Sequence, residues 1–130
     1  IIRYPGVVEP GSMSDDLIIG TDLFVTLAHL GGGTIPADRR IDGIDVRPVL
    51  SGGTLAQRTV FWALDSVSDL EFAVRSGDWK LLIDRDGNPQ ELYDLSSDPL
   101  EFFDQSDNKP SVVADLVAAF AKSGLSKDKD

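Results

Sequence analysis

Reactive side chains are scarce in this 130-residue sequence, and their placement limits the chemistry it can carry. There is one histidine, His29, set between Ala28 and Leu30, and there is no cysteine. Without cysteine there can be no disulfide, no thiolate metal site and no cysteine nucleophile, and the redox compartment stays open. A single histidine cannot form a His-pair metal site. In a helical stretch it is expected as a partly buried or surface residue rather than as a general base. No GxSxG nucleophile elbow, phosphate loop or dinucleotide fingerprint occurs. The triplet Gly31-Gly32-Gly33 follows a helical pattern rather than a strand, which suits helix termination instead of phosphate binding.

Carboxylates are the one abundant reactive class. Twelve Lys and Arg stand against twenty-two Asp and Glu, a formal charge of −10. Such a surface repels phosphate backbones and anionic lipid, so neither a nucleic acid nor a membrane surface is expected as partner. Between Asp84 and Asp107 lie Asp84, Asp86, Glu91, Asp94, Asp98, Glu101, Asp104 and Asp107, with Arg85 as the lone basic residue. This reads as a solvated, loop-rich face. The DxDxDG spacing of a calcium loop is absent. A paired-carboxylate site stays open, although nothing in the spacing makes two of them converge. Trp62 and Trp79 could offer a carbohydrate platform, but each sits in a strand pattern where core packing is the ordinary role. No catalytic and no metal-ligating residue is assigned.

The elements that must position these residues divide the chain near Ser51 to Arg58. Apolar residues at 42% and charged residues at 26% are globular proportions, and no run approaches the roughly 18 apolar residues of a membrane span. Ile1 to Val8 reads as a strand end turned by Pro5-Gly6. The start on Ile1-Ile2-Arg3-Tyr4-Pro5, without Met or a leader, is that expected of a fragment. Thr21 is the expected N-cap of a helix over Asp22 to Leu30, with Leu23, Phe24, Leu27, Ala28 and Leu30 on one apolar face. A Pro/Gly-punctuated connector follows, with room for one helical turn around Val46 to Leu50. Strands are predicted over Thr59–Leu64, Glu71–Arg75, Trp79–Ile83 and Glu91–Leu95, with tight turns at Ser76-Gly77-Asp78 and Arg85–Pro89. Asp98 to Phe103 is a turn or short helix. A last helix runs from Pro110 to Gly124 with Val112, Val113, Leu116, Val117 and Phe120 as its stripe, before a polar tail from Ser126 that is expected to fray. The fold class is therefore α+β: a small antiparallel sheet of about four strands packed by a C-terminal helix, over residues 53–130, preceded by a strand and helix over residues 1–52.

Several phrases, in this order, resemble the closing segment of the sulfatase family of arylsulfatase and N-acetylgalactosamine-6-sulfatase type. They are Ile2-Arg3-Tyr4-Pro5-Gly6; Thr21-Asp22-Leu23-Phe24-Val25-Thr26-Leu27, with Val25 where the family often has proline; Pro36-Ala37-Asp38; Ile41-Asp42-Gly43-Ile44-Asp45; Pro48-Val49-Leu50-Ser51-Gly52; Ala73 to Leu81; Glu91-Leu92-Tyr93-Asp94-Leu95; and Asp98-Pro99-Leu100-Glu101. The resemblance implies that residues 1–52 close an α/β catalytic domain. It also implies a parent enzyme that hydrolyses sulfate esters with a formylglycine and a calcium ion, and a periplasmic or extracellular location. The formylglycine motif, [CS]-x-P-x-R, is not in this sequence, and Asp42, Asp45, Asp94 and Lys80 do not sit in the family's metal or lysine motifs. Lys80 is expected as a strand lysine paired with a carboxylate.

The expected role is thus a sulfatase C-terminal segment that is incomplete for catalysis alone, with the missing upstream catalytic domain as its partner. Arg85, in the loop after the strand that begins Trp79-Lys80, is the candidate for a substrate or sulfate contact. Self-association through exposed apolar surface, and a non-catalytic binding module, are the alternatives.

Overall fold

The computed structural model describes residues 1–64 and 70–125, with the side chains of Leu70 and Glu71 left aside. The polar tail from Ser126 lies outside the described residues. The chain divides into two compact units, Ile1–Ala56 and Gln57–Asp130.

The first unit carries helices α1 (Gly20–Leu30) and α2 (Arg47–Leu50). The expected strand over Ile1 to Val8 is not formed. The amides of Val7 and Val8 both donate to the Tyr4 carbonyl, making a turn through Gly6, whose φ is +84°. A strand persists only where a neighbour pairs with its backbone, and these residues have none among the described residues.

Helix α1 begins two residues earlier than its threonine suggested, with Ile19 at the N-cap. The capping is done by Asp22, which accepts the Ile19 amide at 2.8 Å through Oδ2 and the Ile44 amide at 2.9 Å through Oδ1. Thr21 therefore is not the cap; its neighbour at N3 reaches back instead, as a capping-box acid does. Thr26 Oγ1 accepts the Val46 amide at 3.0 Å. Asp22, Val25 and Thr26 are buried while Leu23, Phe24, Leu27 and Leu30 are exposed, so the apolar face read from the sequence is turned away from its own unit. Gly43 permits the connector to pass this closely, since a Cβ there would collide with the Thr21 carbonyl. At the other end Gly33 N donates to Ala28 O and Gly32 N to His29 O, with Gly32 at φ +73°. That pair of bonds is a Schellman cap.

The second unit is a sheet of β1 (Thr59–Ala63), β2 (Leu70–Ser76), β3 (Trp79–Asp84) and β4 (Pro89–Asp94), antiparallel throughout in the order β1-β2-β3-β4, followed by α3 (Pro110–Ser123). Alternation puts Phe72, Val74, Leu81, Ile83 and Leu92 on one face, where Leu116 and Phe120 of α3 close over them. Val74, Leu81, Ile83 and Leu92 are fully buried, each worth about 1.5–3 kcal/mol of transfer free energy. The Phe72 and Phe120 rings meet at 5.0 Å between centroids, tilted by 49°. Pro110 opens α3 and Gly124, at φ +87°, ends it.

The residues between β4 and α3 form turns rather than a short helix, and they return along the outer edge of β4. Asp104 accepts the Leu92 amide at 2.9 Å, and the Gln105 amide donates to the Leu92 carbonyl at 2.8 Å. The edge is thereby covered against pairing with another chain.

Candidate functional site

The histidine is tied into a small polar cluster. His29 Nδ1 lies 3.0 Å from Asp45 Oδ2, and Asp45 also takes the Arg47 amide, Nε and a terminal guanidinium nitrogen. The Arg47 guanidinium holds the Asp45 carboxyl well below the usual carboxylate range, against the effect of burial. The shared carboxylate ties the imidazole on α1 to the guanidinium of the connector, so the cluster works as a clasp between them. The sequence assigned His29 no catalytic role; the pairing with Asp45, sixteen residues on, needed the fold to be seen.

The candidate Arg85 stands exposed in the turn between β3 and β4. Its neighbour Asp84 organises that turn, accepting the amides of Asp86 and Asn88 and the side-chain amides of Asn88 and Gln90. The Asn88 amide leads the set of donors that hold the Asp84 carboxyl below its ordinary value. Asp84 is thus a turn residue whose oxygens already have donors. Among the described residues no three His, Asp or Glu side chains come together to hold a metal ion. The described residues therefore offer no side-chain cluster that fits the calcium that the resemblance implies for a parent enzyme.

At the far end of β3 lies a cleft of about 370 Å³ lined by Trp79, Asp94, Ser97, Asp98, Phe103, Gln105 and Lys109. Trp79 and Trp62 do not share a platform. Trp79 pairs with Ser76, on the face of Val74, whereas Trp62 pairs with Ala73, on the opposite face. Trp79 packs half-buried against the core, as the sequence suggested, yet it also faces this cleft.

Lys80 makes the expected ion pair, with Nζ at 2.6 and 2.7 Å from the two Glu101 oxygens. Glu101 is the one described non-glycine residue at positive φ, +59°, a conformation that costs energy and is held here by surrounding bonds. The ion pair supplies part of that hold, and Asp98 supplies more by accepting the Phe103 amide at 2.8 Å. Tyr93, on the Lys80 face, donates to Glu91 at 2.8 Å, and burial followed by that carboxylate pushes its hydroxyl up to about 12.

Comparison with known proteins sets these features in context. The family model described as N-sulphoglucosamine sulphohydrolase, C-terminal, matches residues 1–124. The arylsulfatase of Hemicentrotus pulcherrimus is 35% identical over 80 residues, covering 62% of this chain and 14% of that protein. The N-acetylgalactosamine-6-sulfatase of Canis lupus familiaris is 38% identical over 80 residues, covering 62% and 15%. The chain spans about a seventh of the length of these relatives. The crystal structure of Ps i-CgsB, 21% identical, superposes with a TM-score of 0.76 over 98% of this chain and 28% of its own, a likeness of fold. No helix among the described residues is long and apolar enough to cross a membrane. With its sheet-and-helix unit, its connector and a family match over nearly its whole length, this chain belongs to the C-terminal domain family of the sulfatases.

Proposed function

We propose that this chain is the C-terminal part of a sulfuric ester hydrolase and serves there as scaffold and pocket rim, with the bond-breaking chemistry supplied by upstream residues. The observation that carries this reading is the family match over residues 1–124. The formylglycine and calcium of such an enzyme belong, on this reading, to the upstream part, since this sequence holds no [CS]-x-P-x-R motif. Sulfated sugars are the substrate class, by analogy with the family description and with the relative from Canis lupus familiaris, whose names specify amino sugars. A periplasmic or extracellular setting goes with that substrate class.

Two features support the division of labour. The exposed stripe Leu23, Phe24, Leu27 and Leu30 offers an apolar face of the kind a larger domain covers, which makes the catalytic part its intended partner and self-association its substitute when that part is absent. Arg85 projects from a turn whose backbone is fixed by Asp84, a suitable mount for a contact with a substrate sulfate. The test is an assay of the 130-residue chain on an aryl sulfate, with and without calcium. No turnover is expected, and calcium-dependent turnover would overturn the assignment. In the full-length protein Arg85→Ala should raise KM several-fold with kcat little changed, and an unchanged KM would remove Arg85 from the rim.

A further inference from the structure

Trp79 and its cleft are left unused by the sulfatase reading. Trp79 opens β3 opposite Asp94, and the chain then turns at Ser97-Asp98 before coming back along β4 through Gln105. The cleft lies between these outgoing and returning arms, and its volume of about 370 Å³ falls within the roughly 300–1,000 Å³ of ligand pockets. The arms are held by bonds that consume only some of the polar atoms. Asp98 gives Oδ2 to the Phe103 amide, and Asp94 gives Oδ1 to the amide and hydroxyl of Ser96. Both carboxylates line the cleft. Lys109 forms no ion pair among the described residues, and its side chain makes no capping bond to α3. The side-chain amide of Gln105 is engaged only by contacts of 3.4 Å, at the weak end of hydrogen bonding.

The geometry points to a subsite for an uncharged pyranose ring. An indole face accepts the C–H side of a sugar, while carboxylate, amide and ammonium groups at the rim exchange hydrogen bonds with ring hydroxyls, which both donate and accept. Two carboxylates against one ammonium give the cleft no attraction for an added sulfate, so the ring it holds is an unsulfated one. This subsite lies at the opposite end of β3 from Arg85 and needs no hydrolytic step, so it stands or falls separately from the enzymatic reading.

The test is titration of the 15N-labelled 130-residue chain with N-acetylgalactosamine and with its 6-sulfate, followed by backbone amide shifts. The neutral sugar should move the amides of Trp79, Ser97 and Gln105, with a Kd on the order of 1 mM, the scale of a single small ring. The sulfated sugar should bind no more tightly. Gln105→Ala and Lys109→Ala, which leave the core untouched, should each weaken binding about fivefold with the remaining spectrum preserved. Absence of shifts at these amides at about 50 mM sugar, far above that Kd, would overturn the subsite. So would binding unchanged in both variants, or a sulfated sugar that binds severalfold more tightly.

Discussion

The two units of this protein are stabilised by different means. Residues 57–130 bury a continuous apolar face, with Val74, Leu81, Ile83 and Leu92 fully enclosed and Leu116 and Phe120 closing over them. Residues 1–56 bury Asp22 and Thr26 beside Val25 and Val46, while Ile1, Ile2, Met13, Leu23, Phe24 and Leu27 stay exposed. The first unit thus spends its carboxylate and hydroxyl groups on connector amides and leaves its best hydrophobic surface facing outward. A unit with its apolar side inside is complete by itself, whereas one with its apolar side outside is built to be covered.

The sharpest way to break the comparison is to separate the units. Residues 57–130 expressed alone should melt cooperatively, and residues 1–56 alone should show no cooperative transition by circular dichroism. A cooperative melt of 1–56 would refute the contrast. Next in size, Leu81→Ala should destabilise the second unit by about 3–4 kcal/mol in urea titration, because the fully enclosed site leaves a cavity. A cost below about 1 kcal/mol would mean that the core collapses around the deletion. In the first unit Asp22→Ala strands the amides of Ile19 and Ile44, at a cost of about 2–3 kcal/mol. Amide exchange at Ile44 should accelerate accordingly, and unchanged protection there would show that another acceptor takes over.

Smaller effects follow from titration. Tyr93 has a folded pKa raised to about 12, so its contribution to stability is fully present below the unfolded value near 10 and is lost as pH rises through the folded one. Asp84, Asp94 and Asp104 have lowered values, so their contributions are present above about pH 4 and are lost as pH falls through the folded values. At Asp104 burial acts the other way, but the donors from Leu92 and Ser106 prevail. The melting temperature should be flat between these limits and fall at both ends, and Tyr93→Phe should remove most of the alkaline loss. Smallest in folding energy, Leu27→Ser should alter stability by no more than about 0.5 kcal/mol, since the side chain is 62% exposed. Its effect should appear in sedimentation, as reduced self-association. A concentration-independent monomer before the substitution would count against the apolar face as a contact surface.

Much of the second unit was legible from residue pattern because its order is local. Alternating residues in β2 and β3 with Gly77 between them specify a hairpin whatever surrounds it, and Pro110 and Gly124 mark the ends of α3 by backbone geometry alone. The Lys80 carboxylate pair was anticipated in kind, but Glu101 as its partner depends on a loop turned into the left-handed region. The first unit was read less well. Helical periodicity marked the apolar stripe of α1, but it could not say that the opposite face would be the one packed. Thr21 has the right chemistry for a cap, yet Asp22 wins because one carboxylate can take two amides, from Ile19 and Ile44, at once.

The sequence by itself determined the element types of the sheet-and-helix unit, the absence of any thiol chemistry and the family resemblance, because these depend on residue identity and short-range spacing. Only the tertiary structure decided which face of α1 is buried, which carboxylate holds His29, and that Trp79 lines a cleft. Those outcomes join residues far apart in the chain, Asp22 with Ile44 and His29 with Asp45, and contact across such distances is settled by packing rather than by any local preference.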